Sequence, residues 1–138
     1  MYGSLDVSTS GMVAQRIRLN VIASNIANTR SMYDAQGNYD PYRRRAALLA
    51  AGDPSGRGPQ GRSMGVHVTE IDVDQNALRK VYDPGNPVAD PDGYISVPDI
   101  DPVLERVNAM EASRAYEANV VAAEATKSMV AQALRLLA

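Results

Sequence analysis

DPVLERVNAMEASRAYEANVVAAEATKSMVAQALRLLA, residues Asp101 to Ala138, decides the architecture, because it predicts one unbroken amphipathic helix over the last third of the chain. Asp101 suits the N-cap, where its carboxylate accepts orphan backbone N–H groups. Pro102 falls at the first helical position, where a missing N–H is harmless. No Gly or Pro follows, and Ala is the commonest residue, so propensity favours helix throughout. Such a rod would run to about 55 Å, too long for a core helix of a compact domain this size.

Its apolar positions predict a partner helix. Ala109, Ala112, Tyr116, Asn119, Ala123, Thr126, Val130, Ala133 and Leu137 alternate in steps of three and four, the spacing of a coiled-coil seam. Val120, Met129, Leu134 and Leu136 widen that seam in the second half. Small Ala side chains allow close approach. Asn119 either sets register within the seam or faces solvent where the partner drifts away. Glu111, Arg114, Glu117, Glu124 and Lys127 are expected on the opposite, wet side, in weak ion pairs.

One other segment reads as a helix, from about Asp6 to Asn28. Leu5, Met12, Leu19 and Ile26 recur every seven residues, with Ile22, Val13 and Ile17 broadening the face. Ser8, Thr9, Ser10 and Gly11 weaken its first turns, so the firm part is expected to start near Gly11. The block Ser24 to Asn28, with Thr29 to Ser31 behind it, should end it. A helix of this length is marginal alone and needs packing.

Between the helices the chain reads as loop and strand. Gln36, Gly37 and Asn38 predict a tight turn between Tyr33 and Tyr39. Arg43, Arg44 and Arg45 form a basic triplet, either solvated or facing an acidic partner. Ala51 to Gly65 is a Gly/Pro/Ser-rich linker. Val66 to Val73 has strand character whose alternation changes phase, which a bulge near Thr69–Glu70 would reconcile. Tyr82 to Pro98 is turn-rich, with PGNP and DPDG as breakers, and Tyr94, Ile95 and Val97 add a short strand. The expected fold class is therefore mainly α: two long terminal helices packed as a coiled coil, with a β-hairpin and loop-rich middle.

The 138 residues carry a net charge of −2, with no Cys, Trp or Phe and seven Tyr. Residues 1–50 hold six basic and three acidic groups and residues 51–100 four and eight, a balance too mild to imply nucleic acid. Without Cys there are no disulfides or thiolate metal sites. No run of 18 apolar residues predicts direct membrane insertion. No cleavable secretory signal is visible at the start.

Three motifs touch on chemistry. Gly56 to Ser63 (GRGPQGRS) has phosphate-loop spacing, but Arg62 replaces Lys, Pro59 removes an N–H, and neither the strand nor the helix of that motif flanks it. Asp72, Asp74 and Asn76 open like a calcium loop, but Ala77 stands where Gly is needed and Asp83 where a longer Glu is needed. His67 is the lone histidine and is expected to face solvent, too little for a metal site or a catalytic triad. No catalytic residue, cofactor or metal is expected.

With the elements placed, a family can be named. RLNVIASNIANT (Arg18 to Thr29), VYDPGNPVADPDGYISVPDID (Val81 to Asp101) and VNAMEASRAYEANVVAAEATKSM (Val107 to Met129) resemble the bacterial flagellar basal-body rod proteins. The middle block resembles one proximal-rod branch and disfavours the FlgB branch. The resemblance covers nearly the whole chain apart from about Ala46 to Gly65.

It implies a structural, non-enzymatic subunit of the rod in the periplasmic space, exported by the flagellar type III export apparatus without a cleaved signal. It implies residues 1–30 and 101–138 paired as an inner axial domain around the export channel, with 31–100 as an extended outer segment. Implied partners are further copies of the chain, the rod proteins FlgB, FlgF and FlgG, and the adapter FliE.

The assembly positions expected are Met12, Leu19, Ile22, Asn25, Ile26 and Asn28 in the first helix. In the second they are Ala112, Tyr116, Asn119, Ala123, Val130 and Leu137. Tyr116, Asn119 and Ala123 are expected against Leu19, Ile22 and Ile26. A chain with its apolar residues in two terminal stripes should be partly disordered until neighbours cover them. The rivals are a nucleotide- or metal-dependent enzyme, which would bind its ligand as a monomer, and a cytoplasmic two-helix adaptor, which would form a closed dimer.

Overall fold

A computed structural model describes residues 2–52 and 64–137. In chain order the elements are α1 (Tyr2–Ala27), β1 (Arg45–Ala51), β2 (Val66–Val73), β3 (Leu78–Tyr82), β4 (Tyr94–Pro98) and α2 (Pro102–Leu137). The loop Gly56 to Ser63, and most of the stretch 51–65, lie outside the described residues.

Helix α2 runs 36 residues and starts as its sequence dictates. The Asp101 carboxylate accepts the Val103 N–H at 2.8 Å, and the Asp101 carbonyl accepts the Glu105 N–H at 3.0 Å. Those bonds satisfy donors that have no partner within the helix. Helix α1 runs 26 residues and begins well before Gly11. The expectation of a late start fails because the small residues serve packing. Ser8 is buried, Gly11 is buried, and the Thr9 and Ser10 hydroxyls bond back to the Leu5 and Val7 carbonyls. At the other end Asn28 donates to the Ser24 carbonyl and Thr29 to the Ile26 carbonyl, closing the helix at Ala27.

The middle forms two separate two-stranded antiparallel sheets, β1–β2 and β3–β4. In the first, Leu48 faces Glu70 and Leu49 faces Val68, so Thr69 is the extra residue of a bulge where the phase change placed one. Strands β1 and β3 were not expected. RAALLAA has helical composition, and it is the pairing with β2 and the contact with α1 that hold it extended. In the second sheet Leu78 faces Pro98 and Tyr82 faces Tyr94, whose rings meet edge to face at 5.3 Å.

The Tyr33–Tyr39 turn forms as predicted, an isolated bridge with Gly37 at φ 84° between its ends. The Asp34 carboxylate accepts the Gln36 and Asn38 N–H groups and the Asn38 side-chain amide. Those donors, Asn38 first, hold its carboxyl below the usual 3.8. The Tyr39 hydroxyl donates to the Ser96 carbonyl at 2.6 Å and accepts the Ser96 N–H at 2.8 Å, tying the turn to the edge of β4.

Among the described residues the apolar core is small: Ala14, Val21, Ile22, Ala77, Ile95, Ile100 and Ala112. Its largest fully buried side chains are polar, Glu105 and Asn25.

Candidate assembly surface

The helices pack antiparallel. Gly11 faces Asn119, Arg18 pairs with Glu111 at 3.4 Å, and Asn25 donates to Glu105 at 3.0 Å, so each advance along α1 is a retreat along α2. This corrects the expected contacts. Asn119 meets Gly11, whereas Leu19, Ile22 and Ile26 lie toward the first half of α2. The heptad spacing fixed which faces are apolar but carried no information on direction.

The predicted seam is the covered face of α2. Ala112 is fully buried, and Ala109, Tyr116, Asn119, Ala123, Thr126, Val130 and Ala133 are half-buried. Asn119 donates to the Ala115 carbonyl at 2.7 Å, which pins its side chain across the seam. An added Cβ on Gly11 would stand 2.7 Å from its Oδ1, so only Gly permits this approach without displacement. On α1, Ile22 and Asn25 are buried, and Met12, Leu19, Ile26 and Asn28 are half-buried. Leu137 is the last residue of α2.

The opposite face of α2 is not only charged. Val103, Leu104, Val107, Met110 and Val121 are all more than half exposed there. Glu111, expected on that wet face, reaches across to Arg18 instead. Carried back to Tyr2, the register leaves Met129 to Leu137 extending past α1, about 13 Å of helix at 1.5 Å per residue. Met129, Leu134 and Leu136 are 63%, 62% and 88% exposed on that overhang. Of the widened face, Val120 is half-buried, whereas Met129, Leu134 and Leu136 have no cover among the described residues.

The other end of the pair closes on a polar clasp. Asn25, 0% exposed, uses its whole hydrogen-bonding capacity. Its Oδ1 accepts from the Arg45 N–H at 3.0 Å and the Tyr42 hydroxyl at 3.1 Å. Its Nδ2 donates to the Arg45 carbonyl at 2.8 Å and to Glu105 Oε2. The side-chain amide thus acts as a one-residue strand against the edge of β1. Arg44 Nε donates to Glu105 Oε1 at 2.8 Å, Arg43 pairs with Asp40 at 2.8 Å, and the Arg45 guanidinium stands 5.2 Å from the Tyr42 ring centre. Burial pushes the Tyr42 phenol above its ordinary value; Arg45 opposes this and Glu105 adds to it. The basic triplet, read as solvated or partner-facing, is largely engaged within the chain. Its partners lie up to 61 residues away, so nothing local revealed them. One signal was present: Glu105 continues the seam spacing of Ala109 and Ala112, and a charge at a seam position needs a buried partner.

Of the motifs of possible chemistry, the acidic run and the histidine lie within the described residues. The Asp74 carboxylate accepts the Asn76 N–H at 2.9 Å in a turn, and among the described residues no group of acids or His is placed to hold a metal. His67 is half-buried, and its Nδ1 donates to the Gly52 carbonyl at 2.7 Å, correcting the solvent-facing expectation. No described helix is long and apolar enough to cross a membrane.

Comparison with known proteins shows the family. Residues 5–29 match the model of the flagella basal body rod protein family, and residues 92–136 that of the flagellar basal body rod FlgEFG protein C-terminal region. The chain is 39% identical to the flagellar basal-body rod protein FlgC of Bacillus subtilis, across 98% of this chain and 97% of that one. It belongs to the FlgC family of flagellar basal-body rod proteins. The FlgC proteins of Escherichia coli O157:H7 (40% identical, 95% of this chain and 93% of that one) and Borreliella burgdorferi (36%, 99% and 97%) are similar over comparable spans. The two matched regions contain most of α1 and nearly all of α2, whereas the likeness to FlgC proteins also runs through the strands between them.

Proposed function

We propose that this chain is a structural subunit of the flagellar basal-body rod, and that its helix pair is an inner axial domain packing helically around an export channel. The observation that carries the reading is the apolar surface left bare on α2, on the overhang and along Val103, Val107, Met110 and Val121. Patches of this extent on a small chain mark interaction surfaces. A neighbour covering them by a head-to-tail contact that does not close would generate a shaft.

In that role no catalytic group, cofactor or metal is required. Torque passes through many parallel helix contacts, and the clasp ties Tyr42, Arg44 and Arg45 to both helices of the pair. The neighbours proposed are further copies of the chain, FlgB, FlgF and FlgG, and the adapter FliE. Delivery through the flagellar type III apparatus to the periplasmic rod follows from the same reading.

Replacing this gene's product in its host tests it. A strain lacking the chain should be non-motile with truncated basal bodies, and the wild-type chain should restore swimming. Leu134→Glu with Leu136→Glu should abolish that rescue while the protein is still made. Normal flagella in the deletion strain would refute the rod reading.

A further inference from the structure

The block Val81 to Asp101 has no part in the helix seam or the clasp. Its distal end is a rigid turn. The Asp90 carboxylate accepts the Asp92 and Tyr94 N–H groups, the Asp83 N–H donates to the Gly93 carbonyl, and Gly93 holds φ 82° with Tyr82 pressed against it. Tyr82 is 64% and Tyr94 42% exposed. From Tyr82 to Asp101 there are five Asp and no Lys, Arg or His. Among the described residues no hydrogen bond or ion pair ties Tyr82–Gly93 to either helix or to β1.

The opposite chemistry lies elsewhere on the molecule. An open groove of about 330 Å³ runs between α1, β1 and the start of α2. It is lined by the apolar Val21, Ile22, Leu48 and Leu49 and by the cationic Arg18 and Arg45, with Arg44 beside them already paired to Glu105. Arg18 is held only by a loose pair to Glu111, whose side chain is 66% exposed, and Arg45 has no ion pair among the described residues. The groove joins positive charge to exposed leucine, and the turn joins negative charge to exposed tyrosine. Tyr and Arg are the side chains that dominate interface energies, and complementary charge steers and registers such contacts.

We propose that the Tyr82–Tyr94 turn of one copy docks into the Arg18/Arg45 groove of a second copy. The inference rests on the rod reading and deepens it, by naming the head and the tail of one heterologous contact. Because the two surfaces differ, each copy offers one of each, and the chain of contacts stays open.

The natural chain has no cysteine, so disulfide trapping is unambiguous. Basal bodies would be isolated from a strain whose sole copy carries Arg45→Cys and Asp92→Cys, oxidised mildly and run without reductant. Dimers and a ladder of longer multimers are expected. Cells making the two single variants together should give dimers that extend no further. A motile double variant without multimers, or with Asp92→Cys trapped only through a different rod protein, overturns the proposal.

Should the cysteine pair disturb folding, a charge exchange replaces it. Arg45→Asp should lose swimming and Arg45→Asp with Asp92→Arg should regain it; full swimming by Arg45→Asp alone overturns the contact. Failure of the wild-type chain to restore basal bodies would instead sink the rod reading itself.

Discussion

The two ends of the α1–α2 pair are made of opposite materials. Where the middle of the chain enters, the pair closes on Asn25, Glu105, Arg44 and Tyr42, a polar cluster whose central amide and carboxylate are almost wholly buried and bonded. At the other end α2 runs on without α1 and shows Met129, Leu134 and Leu136 to water. Polar groups buried in a network demand exact partners, and the chain supplies all of them from itself. Apolar side chains accept any well-shaped cover, and here the described residues supply none. One end is finished at folding and the other is finished only by assembly.

Four measurements would break or sharpen that contrast. The largest effect is expected at the closed end. Glu105→Ala leaves the Arg44 guanidinium and the Asn25 amide without their acceptor, and should cost about 3 kcal/mol of unfolding free energy. Urea titration followed by circular dichroism would read it; an unchanged midpoint would mean the clasp contributes nothing. Next comes Gly11→Leu, which must push Asn119 out of the seam and should cost about 1–3 kcal/mol. Part of that loss should return in combination with Asn119→Ala, and strict additivity would deny that the two residues touch.

Tyr42 supplies a smaller and pH-dependent effect. Its folded pKa lies above the ordinary 10.0, so folding favours the neutral phenol. That contribution is complete below pH 10 and disappears as pH climbs through the raised value. Tyr42→Phe should cost about 1 kcal/mol at neutral pH and remove the alkaline loss, which pH-dependent melting would detect. The smallest effect on the monomer is expected at the open end. Leu134→Glu with Leu136→Glu should shift stability by no more than about 0.5 kcal/mol, although assembly fails. A large destabilisation there would show that the overhang is already covered within the chain.

What the sequence made legible follows from local physics. Steps of three and four along α2 gave the face that α1 covers through Thr126, Asp101 and Pro102 marked the helix start, and the broken alternation at Thr69 marked the bulge. What it hid depends on residues far apart. Helix direction is set by contacts such as Arg18 with Glu111, 93 residues away, which no window contains. Ser8 and Gly11 were read as weak helix formers, though Ser8 is buried and the missing side chain of Gly11 is what admits Asn119 of α2. The clasp was missed for the same reason, since Asn25 and Glu105 stand 80 residues apart. Strand β1 was missed because tertiary pairing overrides the helical propensity of Ala and Leu.

The antiparallel course of the helices also settles where a reporter can be attached. Tyr2 and Leu137 belong to the same end of the pair, so a fluorophore or epitope fused at either extremity would crowd the overhang. The Asp34–Asn38 turn, exposed and held by its own aspartate, offers a label site remote in the chain from both.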